Sequence, residues 1–463
     1  MPLRAYLPDL LLAAGETRAG AALVVEEGRV VAVGEAPAGC ERVRLAGAAI
    51  LPALASAHSH AFQRALRGRA QARAAESTFW SWRDEMYAVA ARVGPEELQA
   101  IARLLFLEMA HAGVAAVGEF HYLHLDPAGR PYADPDELAR RTIAAAREVG
   151  LRIVLLRASY ARAGAGRPVA AAQLRFVDRS PDDAAAAVQR LAASYRGDAL
   201  VGLGFAPHSV RACPSEWIVA LSREAEERAL PLHIHAAEQV REVEECRAEH
   251  GTTPVRLLDV LGALGPTTVL VHAIHVDRRE IDAIGHAGAT VCACPTTERD
   301  LGDGVVPADH LAAAGARLCL GTDSNVEVDL LGEARALEGH LRLVRGERAV
   351  LAPRSAPASD ALAQRLFAMA TAHGMAALGI AGGALAPGEP ADFQVVSLDD
   401  ASIVGAGAGD LATHAVFSMA RGAVLALYVA GEPVVVAGRS ARLDEARAAE
   451  EGRAVLARLR ART

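Results

Sequence analysis

The 463-residue chain contains no lysine; all 48 of its basic residues are arginine. That absence excludes a Schiff-base lysine, a phosphate-binding loop of the Gly-Lys-Ser/Thr kind, and a carboxylated lysine bridging two metals. Aromatic residues make up only 4% of the chain, few for a pocket that must stack a flat heterocycle, so a charged acyclic substrate is the better match. No apolar run reaches the ~18 residues a membrane span needs. The N-terminus has no basic region ahead of its apolar stretch and no signal-like cleavage site, which leads to the expectation of a cytoplasmic protein. A net charge of -8 without any basic block argues against nucleic acid and anionic membranes as partners. The six cysteines (Cys40, Cys213, Cys246, Cys292, Cys294, Cys319) include no C-x-x-C pair, so reduced, mostly buried thiols are expected rather than a zinc-thiolate site.

What is present is a long, 52% hydrophobic chain, enough for a barrel of about 250 residues with insertions and a smaller companion domain. Short β-rich runs within residues 3–48 read as antiparallel strands of a small sheet. The same texture returns in residues 391–396, 424–429 and 433–436. Between these ends, eight apolar runs alternate with Ala-rich stretches of helical periodicity, for example residues 136–148 and 181–195. The runs begin at residues 49, 114, 151, 200, 231, 268, 289 and 317, the first covering 49–57. Eight strand–helix repeats predict a (β/α)8 TIM-like barrel at 49–385, in the α/β class. A small β-sandwich domain would form from both chain ends, 1–48 plus 386–440, with a C-terminal helix at 441–463.

Such barrels carry their chemistry at the C-terminal ends of the strands. The first run ends in His58-Ser-His60, whose period-two spacing puts both imidazoles on one side. The second ends in Glu119, His121 and Tyr122; the fourth is followed by His208 and Arg211; the fifth ends in His233 and His235 with Glu238 just after. The sixth ends in His272, the seventh in Thr296, Thr297 and Glu298, and the eighth in Asp323. His58, His60, one histidine of the fifth strand and Asp323 make a three-His, one-carboxylate set suited to Zn²⁺, while Fe²⁺, Mn²⁺ and Ni²⁺ also accept such ligands. His235 is the better fifth-strand choice because it lies nearer the strand end; His233 would share its face one layer deeper. An ion there lowers the pKa of a water to about 7. Glu238 is then a candidate proton shuttle, Asp323 can accept the water's proton, and His272 can steady the developing centre. Taken singly, Glu238 could be a helix cap and His272 a core histidine.

These residues resemble the amidohydrolase superfamily of metal-dependent hydrolases. The motifs are His58-Ser-His60, His235-Ala-Ala-Glu238, His272 and Gly321-Thr-Asp323-Ser, with residues 371–379 and 388–393 similar to the usual superfamily ending. The missing lysine agrees with its mononuclear, deaminase-like branch. Further stretches resemble the formimidoylglutamate deiminase family: His58-Ser-His-Ala-Phe-Gln63-Arg, Phe79-Trp-Ser-Trp-Arg83-Asp-Glu-Met-Tyr, Glu119-Phe-His-Tyr122, Ala206-Pro-His208-Ser-Val-Arg211 and Cys294-Pro-Thr-Thr-Glu298-Arg-Asp-Leu-Gly-Asp-Gly. That resemblance implies hydrolysis of N-formimino-L-glutamate to N-formyl-L-glutamate and ammonia. It implies metal at His58, His60, His235 and Asp323, with Glu238 and His272 catalytic. It also implies Gln63, Tyr122, His208 and Arg211 as substrate contacts, and a homodimer in which Arg83 reaches in from a partner subunit. A small dianionic substrate needs guanidinium forks near its carboxylates, and Arg211 meets that demand; for Arg83 a surface salt bridge is the plain alternative, for Tyr122 an aromatic filler.

The pattern departs from the family in three places. Leu51-Pro-Ala-Leu replaces the usual Pro-Gly before the histidines, Asn325 stands where the family often has His, and residues 160–167 lack an aromatic Phe-Gly-Gly loop. Two other readings are a related deaminase acting on a purine, pyrimidine or other heterocycle, and a non-catalytic scaffold, which the complete ligand set argues against.

Overall fold

In the computed structural model, which describes residues 3–69, 71, 78–353 and 360–461, the eight anticipated runs form one parallel sheet in sequence order. Its strands are Leu54–Ser59, Val114–His121, Arg152–Ser159, Val201–Pro207, Leu232–Ala236, Thr268–His272, Thr290–Ala293 and Arg317–Leu320. Most of their residues are buried on both faces, as expected of strands with side chains inside and helices outside. The ring closes where the chain after the eighth strand meets the first. Thr322 and Asp323 donate backbone N–H groups to the His58 carbonyl, both at 3.0 Å, and His60 N–H returns a bond to the Asp323 carbonyl at 3.0 Å.

The second sheet has nine strands drawn from both ends of the chain. At its centre Arg4–Ala13 lies beside Glu41–Pro52, which in turn pairs with Phe393–Ser397. Three features differ from the sequence reading. Arg4–Ala13 and Glu41–Pro52 run parallel rather than antiparallel, because the hairpin Ala22–Glu26/Arg29–Gly34 intervenes and returns the chain in the original direction. The run at 49–57 is also divided. Ala49–Pro52 pair with Phe393–Val396 in the terminal sheet, and the barrel strand begins only at Leu54. Pro52 cannot donate to a further ladder; Ala53 N–H then turns to the Asp392 carbonyl at 3.1 Å and Leu54 N–H to Gly113 at 2.9 Å. Arg439–Ser440 forms a last short strand, so the closing helix starts later, at Glu445–Ala461.

One buried ion pair ties the two sheets together. Arg152 of the third barrel strand forks onto Asp392, Nε to Oδ2 at 2.7 Å and Nη2 to Oδ1 at 3.1 Å, and its Nη1 reaches the Ala199 carbonyl at 2.7 Å. The helix Phe79–Ala90 follows the first strand and lies over the C-terminal rim of the barrel. It is started by a capping box in which Thr78 and Ser81 exchange side-chain and backbone hydrogen bonds. Among the described residues no helix is long and apolar enough to cross a membrane.

Candidate active site

The rim gathers three imidazoles from two strands. His58 Nε2 lies 3.2 Å from His60 Nε2 and 3.2 Å from His235 Nε2, and Asp323 Oδ1 stands 3.5 Å from the former pair's His58 nitrogen and 3.4 Å from that of His60. Ligands on one tetrahedral ion at 2.0–2.1 Å sit ~3.3 Å apart. The tautomers test the fit further. His60 Nδ1 is 2.9 Å from the Phe120 carbonyl and His235 Nδ1 is 2.9 Å from the His208 carbonyl. A carbonyl only accepts, so each Nδ1 carries the proton and each Nε2 offers a bare lone pair to the common centre. Burial holds all three rings neutral: it lowers His58 to about 3, lowers His60, and puts His235 well below the usual range. Three lone pairs and a carboxylate facing one another in a dry place are a cation's donor set, so the residues fit a divalent metal. Gly321 packs on His58, where an added Cβ would lie 2.7 Å from the His58 Cβ and 2.9 Å from its carbonyl.

Beside these donors lies a second cluster. His272 Nε2 is 3.6 Å from Glu238 Oε1 and 3.7 Å from Asp323 Oδ2, while its Nδ1 donates to Glu298 Oε1 at 3.2 Å. Glu298 also accepts the Cys294 backbone N–H at 2.8 Å, which fixes its carboxylate behind the ring. Burial pushes Glu238 up; the His272 charge opposes this and the Asp323 carboxylate reinforces it, leaving the group at about 7. For His272 burial acts downward, but Glu238, the Glu298 hydrogen bond and Asp323 outweigh it and raise the imidazole to about 10. The backbone takes uncommon left-handed φ values here at non-glycine residues: Ala237 (53°), His272 (74°), Asp323 (43°) and Asn325 (58°). Asn325 explains one departure from the family pattern. Its Nδ2 donates to the Asp323 carbonyl at 2.8 Å, the His60 carbonyl at 3.1 Å and Ser59 Oγ at 3.2 Å, binding first strand to eighth.

Above both clusters is a cavity of about 50 Å³. Gln63, Arg83, Tyr122, His208 and Arg211 all line it, as do His60, His235, Glu238, His272 and Asp323. Gln63 Nε2 donates to Tyr122 Oη at 2.8 Å, leaving Gln63 Oε1 buried without a partner. His208 is half-buried and held neutral, by desolvation first and by the Arg211 charge second. Arg83 and Arg211 form no direct ion pair with any described residue; Arg83 Nε and Arg211 Nη1 are both buried and unpartnered. Arg83 lines the cavity of its own chain, so no partner subunit is needed to bring it there. Its guanidinium lies 4.5 Å from the Trp80 ring centroid, and that of Arg241 lies 4.4 Å from the same centroid.

The low aromatic content misled about this wall. Phe79, Trp82, Tyr87, Tyr122, Tyr160 and Phe176 all line the cavity, so the few aromatics of the chain are concentrated there. Four of the six lie on the rim helix or on the short helix Ala171–Phe176, away from the strand ends that sequence patterning singles out. Tyr160 stands where the expected Phe-Gly-Gly loop is missing and is held by Gln173 Nε2, which donates to its Oη at 2.7 Å and to Tyr87 Oη at 3.0 Å. Two rim histidines are not drawn in. His233 Nε2 bonds the Ala377 carbonyl at 2.9 Å beneath the site, and His121 points toward His124, with ring centroids 5.5 Å apart. Glu298 and the aromatic wall are the contributions that spacing alone did not assign.

The closed parallel barrel gathers imidazoles and carboxylates at its C-terminal rim, and a model of the Amidohydrolase family matches residues 49–434: the chain belongs to that family of hydrolases and is an enzyme. More particularly, it is 39% identical over 405 residues to the formimidoylglutamate deiminase of Pseudomonas aeruginosa, covering 87% of each chain. It is 31% identical over 405 residues to the 8-oxoguanine deaminase of the same organism, covering 85% of each. Among solved structures, an amidohydrolase from Brucella melitensis superposes with a TM-score of 0.89 at 32% identity, over 98% of this chain and 99% of the other.

Proposed function

We propose that the chain hydrolyses N-formimino-L-glutamate to N-formyl-L-glutamate and ammonia, with zinc as its metal. The observation that carries this reading is the pair of guanidinium groups, Arg83 and Arg211, that face one cavity with buried N–H groups and form no direct ion pair with a carboxylate among the described residues. Half-buried guanidinium groups whose inner N–H atoms lack a partner carry an uncompensated desolvation cost, and a substrate bearing two carboxylates answers both. The 39% identical deiminase supports the same substrate.

A zinc-class ion held by His58, His60, His235 and Asp323 supplies Lewis-acid activation of water. The remaining work falls to side chains. Arg211 and Arg83 hold the two carboxylates and so aim the formimino carbon at the rim. Glu238, poised at about 7, accepts a proton from water as its oxygen adds to the C=N carbon and passes it to the imino nitrogen. It then carries the hydroxyl proton to the same nitrogen; the C–N bond breaks, the carbonyl forms and ammonia leaves. His272, held protonated and oriented by Glu298, donates from Nε2 toward the charge that develops on oxygen. Gln63 Oε1 accepts from a substrate N–H, and Tyr122 and His208 close the wall beside it.

The aromatic wall favours a second reading, deamination of a flat heterocycle, which the similarity to 8-oxoguanine deaminase also supports. A neutral ring would leave both guanidinium groups unanswered, which sets this reading second. Ammonia release from formiminoglutamate and from 8-oxoguanine, with and without chelator, decides between them. The expected outcome is chelator-sensitive turnover of formiminoglutamate. Turnover of the ring alone overturns the assignment.

A further inference from the structure

We propose that Gln173 is a positioning residue: it turns the hydroxyl protons of Tyr87 and Tyr160 into the cavity, where they add to the grip of Arg83 and Arg211 on a substrate carboxylate. This role presupposes the dicarboxylate substrate proposed above. Gln173 is 3% exposed and sits on the short helix Ala171–Phe176. Its amide has one orientation that satisfies its neighbours. The Ala170 backbone N–H donates to Oε1 at 3.0 Å, and a backbone N–H cannot accept. The other end of the amide is therefore Nε2, and it meets two phenol oxygens, Tyr160 Oη at 2.7 Å and Tyr87 Oη at 3.0 Å. Both amide hydrogens are engaged there. A phenol that accepts at its oxygen sends its own proton elsewhere.

The open direction is the cavity, which both tyrosines line. Outside this trio neither hydroxyl has an acceptor among the described residues, whereas the Tyr122 hydroxyl donates to Met86 Sδ at 3.7 Å. The two phenols stand beside each other, and a bond between them would consume one proton and still leave one for the cavity. Burial raises the Tyr160 pKa, Tyr87 adds to the rise and the Arg211 charge opposes it, so this hydroxyl keeps its proton at neutral pH. Both guanidinium groups lie within electrostatic reach of both phenols, which brings four donor groups to one place. A carboxylate, which only accepts, satisfies such a set; a ring edge presenting N–H groups does not. The support is stiff. Arg175 of the same short helix donates from Nε to the Leu125 carbonyl at 3.0 Å and from Nη1 to the Ala90 carbonyl, tying Gln173 to the end of the rim helix that carries Arg83 and Tyr87.

The test is calorimetric titration of the metal-loaded enzyme with glutarate, a dicarboxylate with no formimino group to hydrolyse. Y87F/Y160F should weaken glutarate binding roughly 10–100-fold, as expected for lost hydrogen bonds to a charged group. It should raise KM for formiminoglutamate by a similar factor and leave kcat little changed. Y87F and Y160F singly should divide that loss between them. Q173E, whose side chain accepts at both ends, should draw the phenolic protons out of the cavity and weaken glutarate at least as far. Installed in Y87F/Y160F, the same exchange should have a smaller effect, because no hydroxyls remain to be turned. An equal effect in both backgrounds would mean that Gln173 does not act through the tyrosines, and overturns the proposal. Glutarate affinity and KM unmoved by Y87F, Y160F and the double variant overturn it as well. Glutarate binding that depends on the hydroxyls, without turnover of formiminoglutamate, would sink the substrate assignment while supporting the role of Gln173.

Discussion

Glu238 is a carboxylate made useful by its surroundings. Burial alone would take it far from water's reach, and the neighbouring His272 charge brings it back to about 7. Because the deprotonated form is the one that accepts a proton, kcat/KM should fall as pH drops through about 7. E238Q should remove that acidic limb and cut turnover by roughly 10²–10⁴-fold, with metal content unchanged by atomic absorption. A retained limb would mean that another group sets it. Arg211 makes a different demand. R211A should raise KM by about 10–100-fold through loss of a charge-assisted contact while leaving metal content intact, and R211K should recover little of it, since an ammonium cannot reproduce the fork. Unequal KM effects of R211A on formiminoglutamate and on a monocarboxylate analogue would show which carboxylate it meets; equal effects would remove Arg211 from that role.

Among the elements, the seam between the first and eighth strands carries the most consequence. It holds two metal-competent histidines on one side and Asp323 on the other, joined by backbone bonds and by Asn325. At a left-handed position, N325A removes two N–H donors shared among three acceptors and the bond accepted from Thr322 Oγ1; each net bond is worth about 0.5–1.5 kcal/mol, so urea unfolding should show a loss of about 2–4 kcal/mol. G321A should be worse for the site than for the fold, because the added methyl meets the His58 Cβ and backbone rather than the end of a flexible chain. Metal content measured after dialysis should fall while secondary structure by circular dichroism persists. The seam also marks which convergence could be anticipated from the sequence and which could not. His58, His60, His235 and Asp323 were legible because barrel strands place their last residues at one rim, whatever lies between them. Asn325 could be noted only as a departure, because its role depends on three acceptors that no spacing reveals. The aromatic wall was hidden for a similar reason: Phe79, Trp82 and Tyr87 come from an inserted helix whose docking over the rim is tertiary, and a whole-chain percentage says nothing about where so few rings collect.

For the whole molecule, the two sheets stand or fall together through Arg152 and Asp392. The pair is buried and bidentate, and Asp392 also accepts the Ala430 backbone N–H at 2.6 Å. Removing one partner leaves the other charged and dry, so D392A should lower the unfolding free energy by about 3–5 kcal/mol. A single, earlier urea transition is expected; two separated transitions would mean that the barrel and the terminal sheet unfold independently. The division at Pro52 was not readable from the apolar run 49–57 because that run is hydrophobic throughout, and only the identity of its partners, Phe393–Val396 on one side and Val114 on the other, separates the two halves.

The terminal sheet also sets an order of events. Glu41–Pro52 is complete early in synthesis, but its neighbour Phe393–Ser397 leaves the ribosome only after residues 53–392 have emerged, about 20–70 s later at 5–20 residues per second. For that interval the strand offers a bare hydrogen-bonding edge directly upstream of the metal-competent histidines. A nascent chain must therefore protect the edge, by a chaperone or by a temporary partner, until its own distant segment arrives.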